Sequence, residues 1–241
     1  MKKWNRIMRH VVPNTVIALV FVVLAVVTFG ASRSVFAFAK QSDTPYYKGN
    51  AARGEVALMI NVYWGTEYLA PMLQTLEEYG AKCTFFVGGS WADDHNAELL
   101  EIAQRGHEIG NHGYFHKDHK QLSYQANKEE IAATNSLVRA LIGKDMDLFA
   151  PPSGSFGQTT LSVAKELGMR VIMWSKDTID WRDKDADLVY SRATKNVEAG
   201  DMILMHPTAH TAQALPKILA YYKEKGLRAV CVTQILSETT I

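Results

Sequence analysis

The chain has 241 residues, 47% of them hydrophobic, with 26 Lys and Arg against 25 Asp and Glu for a formal net charge of +1. That is enough apolar material for one large α/β domain plus an appended segment, and too little positive excess to draw nucleic acid as a partner. The two cysteines, Cys83 and Cys231, stand in apolar runs and are read as buried free thiols, neither a disulfide framework nor a metal knuckle.

Lys2, Lys3, Arg6 and Arg9 precede an uncharged, mostly apolar stretch over residues 11–31, and the small residues Ala37 and Ala39 follow. Basic, then apolar, then small is the order of an export signal. The stretch is also close to the ~20 residues that cross a bilayer. Residues 1–40 are therefore expected to be a signal peptide or a membrane anchor, with the basic end inside and the remainder outside the cytoplasmic membrane. Residues 41–54, polar with Gly and Pro, are expected to form a linker, and residues 55–241 a single domain.

From residue 55 apolar runs and helical patterns alternate. Residues 56–60 are continuously apolar, as in a strand covered on both faces. Residues 67–79 carry apolar positions at helical spacing and stop at Gly80. Strands are predicted at 82–87, 107–111, 147–149, 170–174, 201–205 and 227–232, and helices at 96–105, 124–142, 158–167, 185–198 and 211–225. Most of these helices end at a glycine, the residue suited to a left-handed cap. Seven strands joined by six helices predict right-handed crossovers and a parallel sheet. No glycine-rich phosphate loop follows the first strand, so a seven-unit, distorted α/β barrel is expected rather than a dinucleotide fold.

In such barrels chemistry gathers at the carboxyl ends of the strands. Asn61, Trp64 and Glu67 follow the first strand, and His112 and His116 the third. Pro152 and Ser153 follow the fourth, Asp180 and Trp181 the fifth, and His206 the sixth. Histidines, aspartates and tryptophans from separate strands are thus expected on one rim. The pair His112 and His116, four residues apart, can aim both imidazoles at one point.

These motifs resemble the NodB-type polysaccharide deacetylases, carbohydrate esterase family four. The resemblance spans residues 55–237 and rests on the strand ending in Asn61-Val62, the Thr84-Phe85-Phe86-Val87 strand, Asn111-His112 through His116, the Pro-Pro-Ser-Gly segment, Asp177 through Asp180-Trp181, and the strand ending at His206. Trp64-Gly65 and His206-Pro207-Thr208 look most like a subgroup found in spore-forming bacteria. The resemblance implies a distorted (β/α)7 barrel that removes N-acetyl groups from amino sugars of peptidoglycan or chitin-like polymers. It implies a divalent metal, zinc first and cobalt, nickel or manganese as alternatives, on His112 and His116. It makes His206 the general acid, with Asp180, or else Asp177, orienting it. Trp181 would be an apolar wall, with Trp64 and Pro152 beside the sugar, and the backbone at Ser153 would hold the oxyanion. It also implies a cell-wall polysaccharide as partner; the surface pattern argues for no particular oligomer, and a monomer is expected.

Three positions depart from the family pattern. Asn61 stands at the general base, and an amide has no basic site near neutral pH. Val62 stands at the metal-ligand Asp, which leaves Glu67 either to reach in as third ligand or to cap its helix. Ala150 replaces the Arg that partners the base, so Asp and Arg are absent together. Two functions follow as expectations: a weakened metal-dependent deacetylase whose metal is weakly bound or absent, or a catalytically silent member that binds glycan through Tyr63, Trp64, Phe156 and Trp181.

Overall fold

The computed structural model describes residues 44–237. The expected signal or anchor, residues 1–40, lies outside them, and among the described residues no helix is long and apolar enough to cross a membrane.

Eight strands form one parallel sheet: β1 (Glu55–Val62), β2 (Thr84–Val87), β3 (Glu108–Asn111), β4 (Leu148–Phe149), β5 (Arg170–Val171), β6 (Lys176–Asp177), β7 (Met202–Met205) and β8 (Arg228–Val230). They run in the order β5-β4-β3-β2-β1-β7-β6. β8 pairs with the first residues of β1, Glu55 with Arg228 through Ala57 with Val230, while β2 pairs with the last, Met59 with Thr84 through Val62 with Val87.

The helices are α1 (Leu69–Glu78), α2 (Gly89–Asp94), α3 (Asn96–Gln104), α4 (Tyr124–Ile142), α5 (Gln158–Glu166), α6 (Ala186–Thr194), α7 (Ala209–Glu224) and α8 (Val232–Leu236). All eight residues of β1 are buried, which is why its sequence is apolar without alternation. The two faces nevertheless differ. Val56, Leu58, Ile60 and Val62 join the larger core under the helices, whereas Ala57 and Met59 join an inner cluster with Phe86, Leu148, Ile172 and Met202. A two-residue period separates these sets, and each fully buried side chain contributes roughly 1.5–3 kcal/mol. The same period turns Asn61 to the inside and Val62 to the helices.

The expected parallel barrel of seven units is what forms, as a half-barrel open between β5 and β6. The stretch expected to be a linker differs from that reading where it is described. Tyr46 bridges to Ile172 and Lys48 to Asp201, with Tyr46 N–H donating to Val171 O at 2.9 Å and Gly49 N–H to Gly200 O at 2.8 Å. Residues 46–49 thus reach across the opening. The strand expected over 170–174 ends at Val171, and β6 follows it, with only Lys176 and Asp177, aligned by pairing with Ile203 and Leu204. Cys83 and Cys231 are free thiols, as expected.

Candidate active site

The carboxyl ends of the strands enclose a cavity of about 430 Å³ lined by Asn61, Tyr63, His112, His116, Ser153, Trp174, Asp177, Trp181, Leu204 and His206. The structure therefore brings Asn61, His112, His116, Ser153, Trp181 and His206 together from five connections of the barrel.

His112 is buried at the end of β3, and its Nδ1 lies 2.7 Å from Ala150 O. Facing a carbonyl, Nδ1 must carry the proton, which leaves Nε2 with a lone pair. That Nε2 is buried and has no hydrogen-bond partner. Burial first, and then the neighbouring His116, hold the His112 imidazole well below its ordinary pKa, so the ring stays neutral. His116 sits in a left-handed backbone conformation (φ 53°), and its ring stacks on Tyr63 with centroids 3.6 Å apart and planes inclined by 20°. Burial also lowers its pKa.

The loop bearing both histidines is held from behind by α4. Glu130 Oε2 accepts the backbone N–H groups of Tyr114 (2.9 Å) and Phe115 (2.8 Å), and Lys117 Nζ approaches Oε1 to 2.8 Å. Burial would raise the Glu130 pKa; the Lys117 bond and the two N–H groups outweigh it and hold the carboxylate charged. Asn111 completes the brace, its Oδ1 accepting Gly113 N–H and its Nδ2 donating to Ile131 O. Neither Glu130 nor Asn111 was among the candidates. A charged residue on the face of α4 that also buries Ile131, Thr134 and Val138 is the one sequence signal that marks Glu130.

On the opposite wall His206 Nδ1 lies 2.7 Å from Asp180 Oδ1, so Asp180 rather than Asp177 is the carboxylate bonded to this ring. Asp180 Oδ2 also accepts the His206 backbone N–H and the Thr211 hydroxyl. Burial pushes the Asp180 carboxyl up, but the bonds from His206 and Thr211 prevail and keep it below its ordinary value. His206 Nε2 is left as the nitrogen not tied to Asp180. Asp177 lines the cavity, accepts Ile179 N–H at 2.8 Å, and has its pKa raised, chiefly by burial.

Asp180 sits behind His206 rather than in the lining, and Glu67, Pro152, Trp64 and Phe156 do not line the cavity either. Glu67 is exposed, and its Oε2 accepts the N–H of Thr66 at 3.0 Å in its own loop, so the local turn, not the histidines, takes its carboxylate. Pro152 is buried in the Pro152–Gly154 turn, beside Gly113 of the histidine loop. Trp64 stacks on His206 with centroids 5.4 Å apart but stays outside the cavity wall. Among the described residues no three His, Cys, Asp or Glu side chains are grouped to hold a metal ion. His112 Nε2 and the His116 imidazole are two neutral donors where catalytic zinc has three protein ligands. The residues present do not fit the metal site expected from the sequence.

A family model for polysaccharide deacetylase matches residues 48–172. The chain belongs to the polysaccharide deacetylase family. It is 40% identical over 197 residues to the uncharacterized protein YlxY of Bacillus subtilis, covering 82% of this chain and 62% of YlxY, so it spans less than two thirds of that relative. It is 31% identical over 189 residues to a peptidoglycan-N-acetylglucosamine deacetylase of Bacillus cereus, covering 76% of this chain and 69% of that one. Among solved structures it resembles wild-type BA3943 of Bacillus anthracis, a CE4 family pseudoenzyme, with a TM-score of 0.79 and 36% identity over 82% of this chain and 70% of that one. A mutant of BA3943 with restored enzymatic activity is equally similar, with a TM-score of 0.79 and 34% identity over 82% and 72% of the two chains. On this polysaccharide deacetylase scaffold, Val62 offers the cavity no ligand. Its side chain is buried among the helix-facing residues, and the next residue to reach the cavity is Tyr63.

Proposed function

We propose that the chain is an impaired polysaccharide deacetylase that receives amino-sugar polymers of the cell wall and releases little or no acetate from them. The observation that carries this reading is Asn61. It lines the cavity from the end of β1, 3% exposed, with Oδ1 lacking any hydrogen-bond partner. Amide hydrolysis needs a group to take a proton from attacking water, and a carboxamide does not take one near neutral pH. Loss of a general base removes typically ~10²–10⁴-fold of rate.

The other half of the machinery is assembled. Asp180 fixes the His206 ring so that Nε2 is the nitrogen left to protonate a leaving amine. Tyr63 and Trp181 supply apolar faces for a sugar ring. Any divalent ion, zinc by the family's habit, would have only His112 and His116 as protein ligands. The likeness to peptidoglycan deacetylases supports a peptidoglycan-type substrate, and the likeness to a pseudoenzyme supports the impairment. The basic-then-apolar pattern of residues 1–40 supports export, with the domain monomeric outside the cytoplasmic membrane, either secreted or anchored and facing the wall. Residues 46–49 belong with the domain, since they are bonded into the barrel.

The test is acetate release from N-acetylated chito-oligomers and peptidoglycan, with zinc or cobalt supplied, alongside retention on insoluble peptidoglycan. The reading expects retention on the glycan and acetate release no greater than that of a His206→Ala variant. Neither retention nor release would remove it.

A further inference from the structure

The polar groups around the cavity floor are unusual in what they ask of a ligand. His112 Nε2 is a lone pair, since Nδ1 donates to Ala150 O, and it is buried without a partner. Asn61 Oδ1 is a second buried acceptor without a partner. Asp177, across the cavity from His112, adds a carboxylate to the lining, and the bond it accepts comes from the backbone N–H of Ile179. The nearby cations are engaged elsewhere: Arg192 donates to Thr178 O and Asp183, and Arg182 to Asp183. Asp180 is taken up by His206 and Thr211.

Two lone pairs and a carboxylate without a contacting cation call for a compact positive donor. An N-acetyl group meets this lining poorly, because it brings a single N–H against these acceptors and its carbonyl oxygen is another acceptor. A protonated primary amine meets it well: it brings a positive charge and three N–H donors, and its bonds to a carboxylate are of the stronger, charge-assisted kind. Trp181 and Tyr63 on the cavity sides suit the sugar ring that carries the amine.

The geometry points to a glycan already stripped of acetyl groups, in which a 2-amino-2-deoxy sugar presents its free ammonium to Asp177, inside the cavity that also holds the unmet acceptors of Asn61 and His112, as the ligand this cavity selects. This rests on the glycan-binding reading above and narrows it: the chain recognises the kind of polymer that an active de-N-acetylating hydrolase leaves behind.

The experiment is calorimetric titration of the protein with a β-1,4-linked glucosamine oligomer and, separately, with the same oligomer fully N-acetylated. Both are run with wild type and Asp177→Asn, with Asp177→Ala as the substitute should the first variant not fold. The expected result is about tenfold or tighter binding of the glucosamine oligomer by wild type, falling to within about threefold in the variant, the scale of one charge-assisted contact. Equal or tighter binding of the N-acetylated oligomer overturns the amine preference and leaves the glycan-binding reading intact. A preference for glucosamine that survives in the folded variant overturns the assignment to this cavity. Binding of neither oligomer overturns both readings.

Discussion

Asp180 and His206 are joined twice, through the imidazole Nδ1 at 2.7 Å and through the backbone N–H of His206 at 2.6 Å, by the two oxygens of one buried carboxylate. Thr211, in the first turn of α7, adds a third donor. The carboxylate therefore ties the loop after β6, the end of β7 and the start of α7 into one unit, and holds His206 whether or not turnover occurs.

Replacing Asp180 by Ala leaves these donors buried without an acceptor. The expected loss of stability is roughly 3–5 kcal/mol, the scale of a broken buried pair, measured by urea denaturation at pH 7. Because the folded pKa of Asp180 is lowered, its contribution is present above about pH 4, the ordinary carboxylate value, and disappears as pH falls through the lower folded value. A loss under about 1 kcal/mol, the ordinary scale of a surface change, would contradict this role.

Glu130 should matter for the histidine loop out of proportion to its distance from the cavity. Glu130→Ala removes the acceptor for Tyr114 and Phe115 N–H and frees Lys117. The expected cost is about 2 kcal/mol, the scale of bonds to a charged group. Amide exchange at Tyr114 and Phe115 should rise well beyond the global change, which hydrogen exchange measures residue by residue.

Mild acid should weaken the fold through a buried histidine. His107 is buried beside Cys83, and burial first, then the charges of Lys82 and Arg105, push its pKa down to about 4. The unfolded chain titrates this group near the ordinary value of about 6.5. Between those values the unfolded state holds the extra proton, so stability is lost as pH falls through the window. Urea midpoints at pH 7, 5.5 and 4.5 should decline in wild type and decline less in His107→Gln.

Chelation should change little. The core is built from strand and helix side chains, and His112 and His116 alone make a poor metal site. Treatment with EDTA is expected to leave the thermal midpoint and glycan retention unaltered. A drop of several degrees would mean that a tight metal site exists.

Much of this architecture was legible because each long element states itself locally. The apolar run of β1, the glycine after α4 and the histidine pair beyond β3 all carry their signal within a few residues. Asn61, His112, His116 and His206 could be placed on one rim because a parallel barrel puts strand ends there. What could not be read depends on partners distant in sequence. β6 holds only Lys176 and Asp177 and is a strand by virtue of β7 beside it. Residues 46–49 read as a polar linker because their bonds go to Val171 and Gly200. Glu67 had the right chemistry for a ligand but accepts a bond from its neighbour Thr66. Glu130 is functional only through a loop whose path the helix pattern does not encode.

The most direct measurement is acetate release by the double variant Asn61→Asp with Ala150→Arg, against wild type and His206→Ala, on the same N-acetylated oligomers with zinc or cobalt present. The account predicts wild type at the level of the His206→Ala control and the double variant about 10²-fold or more above it, the scale of a regained general base. Wild type releasing acetate well above that control would contradict it, whereas a double variant that stays at background would move the limiting loss from Asn61 to the missing third metal ligand at Val62.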